Sequence, residues 1–331
     1  MNNKTALILG VTGQDGSYLA DILISKGYIV HGMYRKSATG NTKNILHLIN
    51  NPNIFNVKFF LHKGDLLDAS SLFRLISTIH PDEIYNEADQ DHVRWSYEIP
   101  YYSSLVTGSA VVTILEIIKQ VDTNIRYFQP CTSNMFGLTD DKLLDENSKF
   151  NPLSPYAISK TFAYYTVKFY RQAYNMHVSN AILFNHESPR RTMEYVSRKI
   201  SNTVARIFLG KSDSLILGDV NAVIDWGYAP EYMEAAWLML QQDEANDFVI
   251  GSGVGHTVQD FVNEAFSYLN LDPNKYVTTS DEFIRPTKTS TLIADTTKAK
   301  QILNFDLKTS FKDLVIQMVD NDILIESKND N

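Results

Sequence analysis

Two side chains four residues apart could exchange a proton with an alcohol. Tyr156 and Lys160 lie in the sequence Tyr-Ala-Ile-Ser-Lys, and a helix would put both side chains on one face. The Lys160 ammonium is expected to lower the pKa of the Tyr156 phenol, which could then take a proton from a sugar hydroxyl while hydride leaves the same carbon. The pair predicts carbohydrate oxidation, although Tyr and Lys at this spacing also occur by chance.

Thr132 could complete this pair. It follows the predicted strand Arg126–Gln129, near the carboxyl edge where parallel sheets bind ligands. Its hydroxyl is expected to hydrogen-bond the reacting alcohol, and a turn at the strand end bonded by the same hydroxyl is the alternative. The sequence therefore predicts a redox site of three residues.

A glycine-rich turn near the N-terminus has the pattern of a dinucleotide site. It follows a predicted strand and opens a predicted helix. The turn comprises Gly10, Thr12, Gly13, Gln14, Asp15 and Gly16. Glycines at this spacing let a pyrophosphate approach the backbone, and the N–H groups of the helix supply donors. Because the strand and the helix are both in place, a cofactor site is favoured over an ordinary glycine turn.

The end of the second predicted strand distinguishes between dinucleotides. An NAD site usually has an Asp or Glu about twenty residues after the glycines. Here Arg35, Lys36 and Ser37 occupy that region, and two cations with a hydroxyl suit a ribose 2′-phosphate. NADP is therefore favoured over NAD, with a solvated basic turn as the alternative. Asp65 and Leu66, after the third predicted strand, are expected at the adenine rather than in a helix cap.

These motifs require a parallel sheet to position them. Short apolar runs alternate with helix-period segments, which is the pattern of an α/β, doubly wound Rossmann sheet. The predicted strands are Thr5–Leu9, Ile29–Met33, Val57–Leu61, Glu83–Tyr85, Arg126–Gln129, His177–Leu183 and, later, Ser214–Leu217. The predicted helices include Ser17–Lys26, Ser70–Ile79, Val106–Lys119, Val196–Leu209, Tyr232–Gln242 and Val258–Tyr268.

The pattern of elements changes after residue 184. We predict a dinucleotide-binding Rossmann domain over residues 1–184, which carries the redox site. A smaller α/β substrate domain is predicted mainly over residues 185–325, part of which could return to the first domain. Residues 326–331 are polar and expected to fray.

Composition excludes several classes of partner. The 331 residues are 44% hydrophobic and 21% charged, which is ordinary for a globular chain. A net charge of −8 argues against a nucleic-acid or acidic-membrane surface, since those partners need a basic footprint. The single cysteine, Cys131, excludes internal disulfides and suits a reducing compartment. With no leader pattern and no apolar stretch near about 18 residues, a soluble cytoplasmic protein is expected.

The histidines do not predict a metal site. None of the eight has a second histidine four residues away, and no set of cysteines accompanies them. We expect catalysis without a metal ion.

Several longer segments together resemble one family. The chain resembles the GDP-mannose 4,6-dehydratases, which are extended short-chain dehydrogenases/reductases. The resemblance lies in residues 10–19, 81–86, 154–157, 183–191, 237–244, 285–287 and 297–300. Matches of this length are specific to the family and not merely to the fold.

The resemblance implies a reaction and a set of residues. In that family bound NADP removes hydride from C4 of GDP-mannose, a glutamate helps eliminate water across C5 and C6, and the hydride returns to C6. Thr132, Tyr156 and Lys160 match its redox residues. Segments that shape its nucleotide-sugar pocket contain Asn185, Glu187, Arg191, Lys199 and Arg285. The resemblance further implies a homodimer or homotetramer, with the loop of residues 35–43 near the subunit contacts.

The resemblance breaks where the elimination residue should be. The Ser/Thr-Ser-Glu stretch of the family is Thr132-Ser133-Asn134 here, and an amide neither accepts nor donates a proton as an acid or base at neutral pH. Three carboxylates are added nearby, at Glu87, Asp89 and Asp91, and Asp89 is a candidate replacement. Other departures in pocket segments are Ile224 for an arginine, Tyr228 for a histidine and Lys288 for a glutamate.

Because these departures cluster in the pocket, a changed substrate or reaction is favoured over neutral divergence. One hypothesis is an oxidoreductase acting on a GDP-hexose or GDP-heptose, as a dehydratase, 4-dehydrogenase or epimerase. The other is a non-catalytic, cofactor-binding paralogue that assembles with an active relative. Retention of both Tyr156 and Lys160 favours the first.

Overall fold

The computed structural model describes residues 3–280 and 290–328 of the chain. Twelve strands are found in this part: β1 Thr5–Leu9, β2 Ile29–Tyr34, β3 Phe59–Lys63, β4 Glu83–Asn86, β5 Arg126–Thr132, β6 Val178–Leu183, β7 Asn185–Glu187, β8 Leu215–Leu217, β9 Val223–Tyr228, β10 Asp247–Ile250, β11 Gly255–Thr257 and β12 Val277–Thr279. The twelve α-helices there are α1 Gln14–Ser25, α2 Leu46–Ile49, α3 Ala69–Ile79, α4 Val93–Glu98, α5 Pro100–Ser103, α6 Ala110–Val121, α7 Pro155–Tyr174, α8 Val196–Phe208, α9 Ala229–Gln241, α10 Val258–Tyr268, α11 Thr297–Leu303 and α12 Phe311–Lys328.

The central sheet has seven strands in the order β10-β6-β5-β4-β1-β2-β3. All of its pairings are parallel. The strands read as near-continuous apolar runs because both faces are covered by helices. The predicted doubly wound Rossmann sheet is therefore confirmed.

Helices cover the two faces of this sheet with separate apolar clusters. One cluster joins α1 and α9 to the sheet through residues such as Leu19, Leu23 and Met239. The other joins α3, α6 and α7 through residues such as Leu72, Ile114 and Val167. Burial on both faces holds the carboxyl ends of β1, β4 and β5 at one edge.

A third apolar cluster belongs to the later part of the chain. It joins α8, α10 and α12 with β8 and β9. The chain returns to the first sheet between these elements, because β10 pairs with β6 from Asp247–Asn180 to Ile250–Leu183. The division into two domains at residue 184 stays a prediction. It allowed part of the second domain to return to the first, and the pairing of β10 with β6 agrees with this.

Several predicted boundaries were wrong for local reasons. The third strand begins at Phe59 instead of Val57, because Asn56 has a positive φ of 57° and the N–H groups of Val57 and Lys58 bond back to Ile54. The first helix begins at Gln14, directly from the glycine turn, instead of Ser17. A π-helical turn, residues 104–109, replaces the start of the helix predicted from Val106.

One helical run, Pro100–Val121, is long and apolar enough to span a membrane by length and composition. This departs from the expectation that no stretch reaches that length. Half of the most apolar 18-residue stretch of this run is buried inside the fold. Ile114 and Ile118 pack there in the core with α3 and α7. A core helix passes the same test, and the cytoplasmic location stays a prediction.

Candidate functional site

The glycine turn lies at the carboxyl edge of the sheet, against the segment that follows β4. Gly10 has a φ of +82°, and a Cβ there would lie 2.4 Å from the Glu87 carbonyl oxygen. A Cβ on Gly16 would lie 2.5 Å from the Gly10 carbonyl oxygen. The two glycines therefore allow the tight turn and the close backbone approach that the spacing predicted.

The first turn of α1 keeps its backbone donors clear of a side-chain cap. Gly13 is the N-cap and makes no side-chain cap hydrogen bond. The side chains of Gln14 and Asp15 contact the later half of the chain: Gln14 donates to the His186 carbonyl, and Asp15 lies 3.0 Å from His186 Nε2. The N–H groups are thus the part of this turn suited to an anion, while these two side chains join α1 to β7.

The basic residues after β2 lie at the surface. Arg35, Lys36 and Ser37 are exposed, and an Arg35 Nη donates to the Tyr102 hydroxyl.

Asp65 accepts the Leu67 N–H at 3.0 Å, whereas the α3 N-cap is Asp68. Asp65 is therefore not the helix cap.

Leu66, also expected to bind the cofactor, is buried in the core beside α3. A contact between Leu66 and the cofactor would therefore use its backbone.

Thr132, Tyr156 and Lys160 come together at the same edge. Ser154 caps α7 by accepting the Ala157 N–H, and Pro155 opens the first turn, so that Tyr156 and Lys160 face β5 from one side of the helix. Lys160 Nζ lies 5.8 Å from the Tyr156 ring centre. Tyr156 is 7% exposed, Lys160 3% and Thr132 7%. Thr132 is the last residue of β5, which continues three residues past the predicted end at Gln129.

Lys160 is held by two oxygen atoms of the protein. Its Nζ lies 2.6 Å from Asp89 Oδ2 and donates to the Pro130 carbonyl at 2.7 Å. Burial opposes the Lys160 charge, but the Asp89 carboxylate, together with Tyr156 and Cys131, raises the pKa of Lys160 above its ordinary value. The catalytic candidate is thus a fixed cation paired with a carboxylate.

The electrostatics of Tyr156 differ from the expectation. Burial raises the pKa of Tyr156 above its ordinary value. The Lys160 ammonium lowers it, as predicted, but the Asp89 and Asp91 carboxylates raise it further, while a hydrogen bond with Thr132 lowers it. The lowering by Lys160 is as expected, but the net direction is upward, first because Tyr156 is buried and then because the two carboxylates add to this effect.

Asn134 lies against the redox residues. Its side-chain Nδ2 donates to Thr132 Oγ1 at 3.0 Å, and its backbone N–H donates to the same oxygen at 3.2 Å. One N–H of the amide is therefore used in a hydrogen bond to the Thr132 hydroxyl. It supplies no group that could take up a proton there.

The three added carboxylates follow β4 at alternate positions and serve different neighbours. Asp89 binds Lys160, and Asp91 accepts the Tyr195 hydroxyl at 2.8 Å. Glu87 Oε1 is buried without a hydrogen-bond partner, and burial together with the Asp15 charge raises the pKa of Glu87. In the described part of the chain, no group of three or more His, Cys, Asp or Glu side chains is arranged to hold a metal ion.

The residues expected to contact a substrate are divided among several elements. Asn185 begins β7 beside Trp226 of β9, and Lys199 is half-buried on α8. Glu187 accepts the Ser197 hydroxyl at 2.6 Å and lies 3.3 Å from Arg191 Nε. Glu187 therefore holds the start of α8.

Arg191 is joined to the segment beside the redox residues through Tyr195. Its guanidinium carbon lies 3.3 Å from the centre of the Tyr195 ring, and Tyr195 in turn bonds Asp91. Arg285 and Lys288 lie outside the described residues.

Sequence reasoning did not identify Tyr195. Its hydroxyl joins the loop before α8 to Asp91, and its ring stacks on Arg191, so it closes one side of the site. No local pattern marks this residue, since its partners come from distant segments. Ile224, by contrast, packs in the third apolar cluster, where an arginine would bury its charge.

Comparisons with known proteins agree with this arrangement. Residues 7–318 match the family model for GDP-mannose 4,6 dehydratase. GDP-mannose 4,6 dehydratase 2 of Arabidopsis thaliana is 44% identical over 325 residues, which cover 97% of this chain and 87% of the relative.

Solved structures show the same fold at low identity. The dTDP-glucose 4,6-dehydratase of Bacillus anthracis, in complex with NAD, has a TM-score of 0.82 and 20% identity, covering 99% of this chain and 97% of its own. RMD from Pseudomonas aeruginosa, complexed with NADPH, has a TM-score of 0.79 and 16% identity, covering 98% of each chain. The match over residues 7–318 and the identity to the Arabidopsis relative assign this chain to the GDP-mannose 4,6-dehydratase family, in the extended short-chain dehydrogenase/reductase fold.

Proposed function

We propose that this chain transfers hydride reversibly at C4 of a GDP-linked hexose or heptose, with bound NADP, and does not eliminate water through position 134. The observation that carries the proposal is the hydrogen bond from Asn134 Nδ2 to Thr132 Oγ1, next to Tyr156 and Lys160. The redox residues are together, but the adjacent side chain is an amide. Interconversion of the sugar alcohol and its 4-ketone, or epimerisation through the ketone, is therefore the proposed net reaction.

The residues at the sheet edge suit a dinucleotide. The close backbone approach at Gly10 and Gly16 leaves no room for side chains, and the uncapped first turn of α1 offers N–H donors to a pyrophosphate. Arg35 and Lys36 would hold a ribose 2′-phosphate, which supports NADP over NAD. When bound, the nicotinamide would carry the hydride.

The protein's own part in the reaction is to hold and move a proton. Thr132 Oγ1 would orient the sugar hydroxyl, and Tyr156 Oη would take its proton during oxidation or return one during reduction. Lys160 stabilises the ionised phenol, although its charge is shared with Asp89. Glu187 and Arg191 would shape the sugar-nucleotide side of the pocket through their contacts with α8 and Tyr195.

Elimination requires a base near C5 and an acid near C6 of the sugar, and Asn134 supplies neither. Asp89 was the candidate replacement. Its Oδ2 lies 2.6 Å from Lys160 Nζ, so the carboxylate is engaged by the ammonium. This contact supports a role for Asp89 toward Lys160 over a role in removing the C5 proton.

Product mass separates these reactions. Protein loaded with NADP or NADPH would be incubated with GDP-mannose and, separately, with a GDP-heptose, and the products weighed by mass spectrometry. We expect no loss of water: the product either lacks two hydrogens or keeps its mass and changes its chromatographic retention. Asn134→Glu restores a carboxylate beside Thr132 and is expected to add a product lighter by one water.

A dehydrated product from the unaltered protein would contradict the proposal and point to a substitute carboxylate. Absence of any hydride transfer, in protein shown to hold cofactor, would support the non-catalytic paralogue instead. Deuterium at C4 of the sugar, traced into the cofactor, distinguishes slow turnover from none.

We infer that the chain forms a homodimer, or a tetramer built from it, through one face of α7. Ile158, Phe162, Tyr165 and Phe169 recur on one side of this helix at intervals of four, three and four residues, and all are exposed. An apolar stripe at helical spacing is usually buried against another surface. Its repetition on each copy suits a symmetric contact between the same helices of two chains.

Phe162→Glu is expected to shift the assembly to monomers, because it would bury an unpaired carboxylate at the centre of the stripe. Sedimentation equilibrium measures the outcome. Phe208→Glu is the matched control, since Phe208 on α8 has the same 50% exposure as Phe162 but lies outside the stripe. An unchanged assembly in the Phe162 variant would place the contact elsewhere.

A further inference from the structure

The segment after β4 presents alternate side chains to opposite sides. Gln90 points into the fold, where Gln90 Oε1 accepts the Ser103 hydroxyl at 2.9 Å and its backbone N–H donates to Thr107 Oγ1 at 3.3 Å. Gln90 is only 7% exposed. With Gln90 anchored in the fold, its two neighbours contact the redox site: Asp89 lies beside Lys160, and Asp91 accepts the Tyr195 hydroxyl. Asp89 therefore has a fixed place beside Lys160.

The pair formed by Asp89 and Lys160 is short and shielded from water. The Oδ2–Nζ distance is 2.6 Å, and the two side chains are 16% and 4% exposed. Lys160 has three N–H donors, of which one faces Asp89 and one the Pro130 carbonyl. In such surroundings a carboxylate removes much of the field that the ammonium would otherwise exert on a neighbour.

We propose that Asp89 is a positioning residue that holds Lys160 and offsets its charge, so that Tyr156 keeps its proton at neutral pH and protonates a ketone. The substrate class that follows is a keto sugar nucleotide, reduced to the alcohol. This rests on the proposed function and adds to it the direction in which the site works at neutral pH. An oxidation or dehydration elsewhere must then supply the ketone.

The step balances with a reduced nicotinamide dinucleotide as hydride donor. The carbonyl carbon accepts hydride and forms a new C–H bond, the C=O π bond breaks, and the oxygen takes the proton from Tyr156 Oη. The sugar is reduced and the nicotinamide oxidised. Tyr156 recovers its proton from solvent.

Asp89 cannot alter the equilibrium between alcohol and ketone, because a catalyst accelerates both directions alike. It alters the fraction of enzyme that carries the form each direction needs. Reduction uses the phenol, and oxidation uses the phenolate. With the phenol stabilised, nearly all of the enzyme at neutral pH is ready for reduction, and only a small fraction is ready for oxidation.

Other charged and titratable groups act on this site, and the test must separate them from Asp89. Burial and the surrounding charges favour the neutral phenol, with Lys160 opposing them. Asp91 faces Tyr195 and contributes in the same direction as Asp89. The remaining groups that act on Tyr156, Asp89, Lys160 or Tyr195 are Asp15, Glu87, Cys131 and Arg191.

The first test is a pH profile of kcat/KM for reduction of a GDP-linked 4-keto hexose by NADPH, from about pH 6 to about pH 11, which passes the ordinary pKa of tyrosine at about 10. The kcat/KM of the unaltered protein is expected to stay constant through this range. The kcat/KM of the Asp89→Asn variant is expected to fall at high pH, because the apparent pKa of Tyr156 is lowered by about 1 unit or more. Asp91→Asn, which leaves the Lys160 pair intact, is expected to give a smaller shift.

Lys160→Met decides whether Asp89 acts through Lys160. In that background Asp89→Asn should lower the pKa of Tyr156 by less than it does beside Lys160, because only the direct field of the carboxylate on the phenol is then removed. A profile unchanged by Asp89→Asn, or changed equally without Lys160, would overturn the inference. Failure to turn over any GDP-sugar or GDP-keto sugar at any pH would instead overturn the proposed function.

A second measurement needs neither substrate nor cofactor. Carbon-13 at the phenol carbon of tyrosine reports ionisation by NMR, and the Tyr156 signal is identified by its absence in Tyr156→Phe. We expect this signal to titrate at lower pH in Asp89→Asn than in the unaltered protein. Asp89→Ser is a second variant if the asparagine protein folds poorly, and equal titration in all of them would refute the role of Asp89.

Discussion

Tyr156→Phe is expected to slow hydride transfer by about 10²–10⁴-fold, which is the usual contribution of a positioned acid or base. The change removes only the hydroxyl that would exchange the proton. The ring stays in its place beside Lys160, 5.8 Å from Nζ, and remains buried. Cofactor affinity should change by no more than a few-fold, since the glycine turn is untouched. Single-turnover loss of NADPH absorbance gives the rate.

Tyr165→Phe is the matched control for this variant. Tyr165 lies on the same helix but is exposed, and it should keep the hydride-transfer rate while removing an identical hydroxyl. A wild-type rate in Tyr156→Phe would mean that another group supplies the proton. Tyr195 is then the next residue to test, because its hydroxyl donates to Asp91 at 2.8 Å beside the redox residues.

The parts of the site that could be predicted are those specified by local pattern. The glycines need particular backbone geometry, and Tyr156 and Lys160 need only one helical turn, so spacing alone located them. The parallel sheet then brings the ends of β1, β4 and β5 to one edge, which places Thr132 near both groups.

The parts that could not be predicted depend on which way a loop side chain points. The sequence marked Asp89 as an added carboxylate, but its pairing with Lys160 follows from the anchoring of Gln90 by Ser103 and Thr107. Burial of Tyr156, with the Asp89 carboxylate adding to it, raises the pKa of Tyr156 in spite of the Lys160 charge. Similarly, the start of β3 was shifted by a positive φ at Asn56, which no apolar pattern reveals.

A second large effect is expected far from the redox residues, where α8 packs on α12. Arg198 Nη2 lies 2.6 Å from Asp322 Oδ1, and the two side chains are 5% and 0% exposed. Asp322 also accepts the Ser201 hydroxyl at 2.6 Å. Asp322→Ala leaves the Arg198 guanidinium buried without its carboxylate, and this should lower the free energy of unfolding by about 3–5 kcal/mol. Urea denaturation measures the loss.

The comparison that isolates the buried charge is a double variant. Arg198→Met with Asp322→Leu removes both charges and keeps side-chain volume, so most of the lost stability should return. Lys312→Ala, which breaks the exposed pair of Lys312 with Glu264 at the contact between α12 and α10, should cost about 0–1 kcal/mol. If Asp322→Ala costs no more than Lys312→Ala, the pair at α8 contributes little. The contact between α8 and α12 must then be held mainly by the third apolar cluster.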